Sequence, residues 1–193
     1  MRRQIRMPRM SLKKTADAIS LFLSEPNNMV MFFDEGRFGL QPVIGRCWIP
    51  KGKKQSAKIK TGYKFFYLYA GVSPTNGESF MLLLPWVNTD IMNVYLNELS
   101  KAYQDKTLMI IMDQAGWHKS KTLIVPENIH IEYLPPYSPE LNPVEKLWLW
   151  LRRHVCRNRL FKSEEELIEA LTTMVNRVSN TQASRLCHCS YLS

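Results

Sequence analysis

The sequence predicts an α/β fold: a mixed five-stranded sheet whose first three strands form a meander, with helices flanking it. Three observations carry this. "MVMFF" (Met29–Phe33) and "LMIIM" (Leu108–Met112) are apolar at every position, as central strands buried on both faces require. Two more apolar runs flank Pro74-Thr75-Asn76-Gly77, and Asn-Gly between such runs marks a hairpin. Helical periodicities separate or follow these strands, as expected when strands and helices share one sheet.

Taken in order, residues 1–28 are a basic arm followed by a helical lead-in. Leu12, Ala16, Ile19 and Leu23 recur at helical spacing there, and Pro26-Asn27-Asn28 stops the helix. A strand over Met29–Glu35 follows. "RFGLQPVIGRCWIPKGKKQSAKIKTG" is rich in Gly, Pro and Lys and reads as a loop or short hairpin. Tyr63–Ser73 and Glu78–Pro85 are the hairpin arms. Asn88–Tyr103 is an amphipathic helix with Ile91, Val94, Tyr95 and Leu99 on one face and Asn88 or Thr89 as its cap. Thr107–Met112 and Asn128–Leu134 are the last two strands, each expected to return through a helix. Pro143 and Val144 open a helix with Val144, Leu147, Trp148, Leu151 and Val155 as its stripe; Trp148 and Trp150 read as a core-plus-surface pair. Ser163 and Glu166 form a capping box at the head of Ser163–Val178. Residues 179–193 lack periodicity and are expected to be an irregular tail. Residues 29–178 are thus one domain.

A chain of 193 residues with 45% apolar and 11% aromatic content can bury a real core. Lys and Arg outnumber Asp and Glu by 26 to 17, for a net charge of +9, which suits a polyanionic partner such as nucleic acid. No apolar run approaches the roughly 20 residues that span a bilayer, so no membrane partner is expected. The basic N-terminus lacks the apolar core of a secretory signal. The four cysteines do not make a disulfide framework, and a cytoplasmic, nucleoid-associated location follows. Cys187-His188-Cys189 lacks the ligand gap of zinc knuckles.

The chemistry concentrates where apolar strands meet acids. Asp34 ends "MVMFFD" and Asp113 ends "LMIIMD". As parallel neighbours, such strands would bring both carboxylates to one sheet edge, about 4.8 Å apart, at the carboxyl ends where open α/β sheets bind ligands. Two adjacent carboxylates repel unless a cation lies between them, and hard oxygen ligands suit Mg²⁺ or Mn²⁺. Either Asp alone would be an ordinary loop or helix cap; the matched pair points to metal. Glu145 lies in the first turn of its helix, favoured there by the helix dipole. Glu140, Glu132 and Glu35 compete for a third acidic role on chemistry alone. Trp117 reads as packing for the Asp113 loop, and Gln114 and Asn142 stand beside the acids as orienting candidates. Lys51, Lys53, Lys54, Lys58 and Lys60 make a cationic loop, and Arg152, Arg153, Arg157 and Arg159 a second basic patch.

Three blocks, "FFDEGRFG", "IIMDQAGWHKS" and "LPPYSPELNPVEKLW", in this order, resemble the signature blocks of DDE transposases, nearest the bacterial insertion-sequence branch of the mariner superfamily. The resemblance runs from about Met29 to Val178. It implies an RNase H-like fold and assigns the metal-binding, catalytic acids to Asp34, Asp113 and Glu145. It also implies two Mg²⁺ or Mn²⁺ per site and two-metal phosphoryl transfer, in which strand cleavage frees a 3′-OH that attacks target DNA. His118 and Lys119 fall within the second block; with Lys51, Lys53, Lys54, Lys58, Arg152 and Arg153 they are the expected DNA contacts. DNA is the implied partner, as transposon ends and target, and a homodimer would couple two ends. Relatives carry N-terminal helix-turn-helix modules, which the short lead-in lacks, so a separately encoded helix-turn-helix subunit or a truncated copy is expected. Two other functions compete: a catalytically idle DNA-binding remnant, and an RNase H-like nuclease acting on branched DNA or hybrids.

Overall fold

The all-apolar run at Met29 forms the centre of the sheet because both of its faces are covered. In the computed structural model, which describes residues 9–41, 43–46, 48, 50–53 and 64–189, the elements run α1 (Arg9–Phe22), β1 (Asn28–Gly39), β2 (Phe65–Val72), β3 (Ser79–Leu84), α2 (Thr89–Ala102), β4 (Thr107–Met112), β5 (Ile129–Tyr133), α3 (Val144–Leu151), α4 (Glu164–Asn176) and α5 (Asn180–Leu186). The five strands lie in the order β3-β2-β1-β4-β5. β1–β2 and β2–β3 are antiparallel, whereas β1–β4 and β4–β5 are parallel.

Strand alternation divides the core in two. Val30 and Phe32 of β1 join Ile19, Leu147, Trp148, Leu167, Leu171 and Ala183, so α1, α3, α4 and α5 cover one face. Met29, Met31 and Phe33 join Met92, Tyr95, Leu96 and Leu99, so α2 covers the other.

Several elements depart from expectation. β1 does not stop at Glu35. Its pairing with β4 ends at Phe32↔Ile111, but β2 carries it on, through Asp34↔Ala70 to Gly39↔Phe65. Asp34 is therefore inside a strand, not at its end. The buried stripe of α2 is Met92, Tyr95, Leu96 and Leu99, and Val94 is 47% exposed. Asn88 is the cap, its side chain accepting from the Ile91 N–H at 2.8 Å. β4 reaches β5 without an α-helix, through a 3-10 turn at Gly116–Lys119. After Leu151 the backbone widens into a π-turn over Arg152–Cys156, which keeps Val155 and Cys156 buried. Lys54, Lys58 and Lys60 lie outside the described residues. Among the described residues no helix is long and apolar enough to cross a membrane.

The expected irregular tail instead forms α5. The Ser179 hydroxyl caps it by accepting from the Gln182 N–H at 3.2 Å, and Ala183 and Cys187 are buried. The helix docks on the β2–β3 turn, where the Ser184 hydroxyl donates to the Pro74 carbonyl at 2.8 Å. Gly77 has φ +75°, and a Cβ there would lie 1.7 Å from the Asn180 carbonyl oxygen. The Asn-Gly turn is thus needed for both its backbone and its empty side. Gly77→Ala is expected to destabilise the fold by about 1–3 kcal/mol and to open residues 179–189 to limited proteolysis. Unchanged urea unfolding and an unchanged cleavage pattern would show that this docking contributes nothing.

Candidate active site

Because side chains alternate along β1, Asp34 and Glu35 leave the sheet on opposite faces. Asp34 shares the parity of Phe32 and meets α3, where the Trp148 indole N–H donates to its Oδ2 at 2.7 Å. Glu35 shares the parity of Phe33 and meets the turn after β4. There its Oε1 accepts from the Trp117 indole N–H at 3.1 Å and faces His118 Nε2 at 3.0 Å.

Asp113 follows β4 directly and matches Asp34 in register, each two residues past the last β1–β4 pair. Its Oδ1 lies 2.8 Å from His118 Nδ1 and accepts from the Ala115 N–H at 3.0 Å. His118 therefore bridges two carboxylates, one from each strand. It is 1% exposed, and the Tyr133 hydroxyl donates to its carbonyl at 2.6 Å. The expected DNA-contacting His118 is corrected here: both ring nitrogens are engaged inside the protein.

Glu145 enters from the first turn of α3. Asn142 sets where that helix begins. Its amide N–H donates to the Phe33 carbonyl at 2.8 Å while its Oδ1 accepts from the Val144 N–H at 3.2 Å. One buried side chain thus ties the head of α3 to the residue before Asp34. Gln114 anchors the next loop by donating to the Leu134 carbonyl at 2.8 Å. Asp34, Asp113 and Glu145 then line one cavity of about 550 Å³, with Gln114, Tyr137 and Asn142 among its other walls.

The charges in this cavity are unequal. Burial raises the Asp34 carboxyl to about 7; the Trp148 bond opposes the rise, and Glu145 and Glu35 add to it. The bond from His118 holds Asp113 below the usual carboxylate range, with help from the Ala115 N–H. Burial alone would lower His118, but its bonds to Asp113 and Glu35 override this and raise it to about 9. At neutral pH it is an imidazolium donating to both. One cation thus serves Glu35 and Asp113, while Asp34 and Glu145 line the same cavity with no ion-pair partner among the described residues.

The donor set is hard oxygen, as Mg²⁺ or Mn²⁺ prefers. Among the described residues, no three His, Cys, Asp or Glu side chains converge into a ready-made metal cluster. An open set of this kind suits an ion that keeps waters and takes substrate phosphate oxygens as ligands. The half-buried Asp34–Glu145 side, which has no cationic partner among the described residues, is where such an ion would relieve repulsion.

Of the expected basic contacts, Lys51, Lys53 and Arg153 are exposed. Lys119 is exposed and donates to the Gln114 side chain, with its ammonium 5.2 Å from the Tyr133 ring centre. Arg152 is half-buried and donates to the Arg37 carbonyl at 3.3 Å. Glu35, as the buried partner of Trp117 and His118, and Trp148, as the Asp34 donor, escaped the sequence reading. The one hint was the acidic pair Asp34-Glu35 inside an otherwise apolar run.

A sheet of this order, with acids beside two central strands and on a following helix, is the RNase H-like fold. The model of the DDE superfamily endonuclease family matches residues 29–168, and the chain belongs to that family. It is 40% identical over 103 residues to the uncharacterized protein y4pE/y4sA of Sinorhizobium fredii (strain NBRC 101917 / NGR234), over 53% of this chain and 76% of that protein. It is 26% identical over 181 residues to the insertion element IS630 uncharacterized 39 kDa protein of Shigella sonnei, over 91% of this chain and 53% of that one. The Mos1 mariner paired-end complex shares the fold, with a TM-score of 0.68 at 18% identity in its Mn form, over 97% of this chain and 62% of that one. Its Mg form gives 0.65 at 15% identity, over 97% and 61%. The chain therefore spans about half the length of the IS630 protein.

The raised His118 value predicts a pH dependence with a definite sign. A group whose folded pKa exceeds its unfolded value stabilises the fold below the unfolded pKa and loses that contribution as pH rises through the folded one. Between pH 6.5 and about 9, stability is expected to fall by on the order of 3 kcal/mol. In His118→Gln that fall should vanish from urea unfolding curves; parallel pH profiles for the two proteins would refute the bridge.

Proposed function

We propose that this chain is the catalytic domain of a transposase, cutting and joining DNA strands by metal-dependent phosphoryl transfer. The observation that carries the reading is the meeting of Asp34, Asp113 and Glu145 in one cavity, on a side where carboxylates outnumber cations.

In this reading the three carboxylates hold two Mg²⁺ or Mn²⁺ ions. Bound there, the ions would lower the pKa of an attacking water and stabilise the leaving 3′ oxygen. The rest falls to the chain's own groups. Asp113 presents a carboxylate already ionised and oriented by His118. Asp34, held by Trp148, gives up its raised proton when a cation arrives. Glu145 is placed by the Asn142 tie to β1. Lys119, Arg152, Arg153, Lys51 and Lys53 supply positive charge for the phosphate backbone. The freed 3′-OH then attacks target DNA in the same site, and no covalent protein intermediate is needed. Pairing of two ends by two copies of the chain is supported by the paired-end complexes of Mos1, as is divalent metal use by their Mn and Mg forms.

Cleavage of labelled duplex in Mn²⁺ tests the reading. Asp34→Asn, Asp113→Asn and Glu145→Gln should each lose more than about 100-fold in rate while still retaining DNA. Glu35→Gln, which weakens the His118 bridge behind Asp113 and removes a charge beside Asp34, should lose roughly 10- to 100-fold. Glu140→Gln, outside the cavity, should cleave normally. Wild-type rates in Asp113→Asn would end the proposal, and salt-sensitive binding with no cleavage by any form would leave a DNA-binding remnant.

A further inference from the structure

The cavity wall beside Asp113 holds a cation in place without pairing it. Gln114 lines that wall, and its side chain is fixed from both ends. The amide N–H donates to the Leu134 carbonyl at 2.8 Å, which turns Oε1 toward the Lys119 ammonium, and Oε1 accepts from it. A carbonyl only accepts and an ammonium only donates, so the place between them needs a side chain that does both. Leu134 is itself pinned, its N–H donating to the Met112 carbonyl at 2.8 Å. The Tyr133 hydroxyl donates to the His118 carbonyl at 2.6 Å, and its ring centre lies 5.2 Å from the same ammonium.

A surface lysine is ordinarily free to rotate, and holding one costs rotamer entropy. Here no ion pair offsets that cost, because Lys119 has no carboxylate partner among the described residues. A carboxylate is nevertheless close by. Asp113 precedes Gln114, its side chain is 60% exposed, and its Oδ1 takes the contacts with His118 and the Ala115 N–H. Among the described residues nothing engages its Oδ2. An unheld ammonium would close on that oxygen and compete with a divalent cation for it. Held by Gln114 and Tyr133, it stays at the rim with donors to spare. Lys51, Lys53 and Arg153 are exposed too, but none of them bonds to a described residue of the cavity wall.

We propose that Gln114 is a positioning residue that keeps the Lys119 ammonium off Asp113, and that Lys119 is a catalytic residue that binds a non-bridging oxygen of the reacting phosphate. This rests on the reading of the cavity as a phosphoryl-transfer site. It gives Lys119 one particular phosphate instead of a share in the general backbone charge. A donor fixed beforehand where charge develops lowers the barrier more than it tightens binding.

Two measurements on the full chain test this, the first without DNA. Mn²⁺ binding is followed by the electron paramagnetic resonance signal of the free ion. Gln114→Leu should bind Mn²⁺ about tenfold more weakly than wild type, because the released lysine pairs with Asp113. Gln114→Leu/Lys119→Gln should recover wild-type affinity, although the bond to Leu134 is equally lost in it. Lys119→Gln alone should bind Mn²⁺ at least as tightly as wild type. Unchanged affinity in Gln114→Leu, or equal weakening in the double variant, overturns the positioning role. In the second measurement, labelled duplex is bound in Ca²⁺ and cleaved in Mn²⁺. Lys119→Gln should cleave about 100-fold more slowly per bound complex, with DNA affinity and its salt slope unchanged, and Lys119→Arg should regain part of the rate. Weaker binding with a slope smaller by about one, and a wild-type rate once bound, would make Lys119 an ordinary backbone contact and overturn the catalytic role. A Gln114-dependent Mn²⁺ affinity with no cleavage by wild type would overturn the phosphoryl-transfer reading, and the role of Lys119 with it, but leave the hold by Gln114 standing. Normal cleavage by wild type and Lys119→Gln alike would overturn the role of Lys119 alone.

Discussion

Everything at the cavity depends on β1 outrunning its parallel neighbour. Pairing with β4 stops at Phe32↔Ile111, while β2 keeps β1 extended as far as Gly39. In that overhang the pleat still operates, so adjacent acids are delivered to opposite faces. Asp34 meets the helix that carries Trp148 and Glu145, and Glu35 meets the turn that carries Trp117 and His118. Had β4 continued alongside, Asp113 would lie within a flat ladder. Its departure from the sheet lets the following turn fold back under β1, so that one histidine spans both strands.

The same geometry sorts the charges. An imidazolium between Glu35 and Asp113 leaves Asp113 ionised, with its orientation settled before any ligand arrives. Asp34, half-buried and beside Glu145, has its carboxyl pushed up to about 7. Two aspartates at equivalent register thus have opposite electrostatic characters, because only one faces an internal cation. Such an arrangement does not favour the folded state by itself: a buried acid raised in this way costs stability as pH climbs toward its folded pKa. Functional sites commonly trade stability in this direction.

Much of the frame was legible in the sequence, for local reasons. Thr107–Met112 stood out as a strand because nothing polar interrupts it, and the hairpin because Asn76-Gly77 has the required turn chemistry. Ser163 announced α4, and the α3 stripe was readable from its period, down to Trp148. The Asp34–Asp113 pairing was visible because two apolar runs end on the same residue type. Glu145 was not separable from Glu140, Glu132 and Glu35 by chemistry, and its choice came from the family resemblance. What escaped were contacts between distant segments. Glu35 meets His118 across 83 positions, and Trp148 meets Asp34 across 114; no local period encodes either. α5 escaped for a different reason, since Ala183 is its only buried residue. One small side chain makes no stripe.

Gly36 shows how narrowly this arrangement is specified. A Cβ at that position would meet Trp148 Cδ2 at 2.8 Å and Phe38 Cε2 at 3.0 Å. The bare backbone is a notch into which the indole settles, and from there its N–H reaches Asp34. Glycine inside a strand weakens it, so the notch has a cost that the indole contact offsets. The environment of Asp34 is therefore controlled by a position that carries no functional group at all. A methyl group added there would act as a wedge, shifting α3 away from β1 and taking Glu145 with it. The "DEG" triplet accordingly works as a mechanical unit: one residue for the cavity, one for the bridge beneath it, and an empty place that lets the helix close.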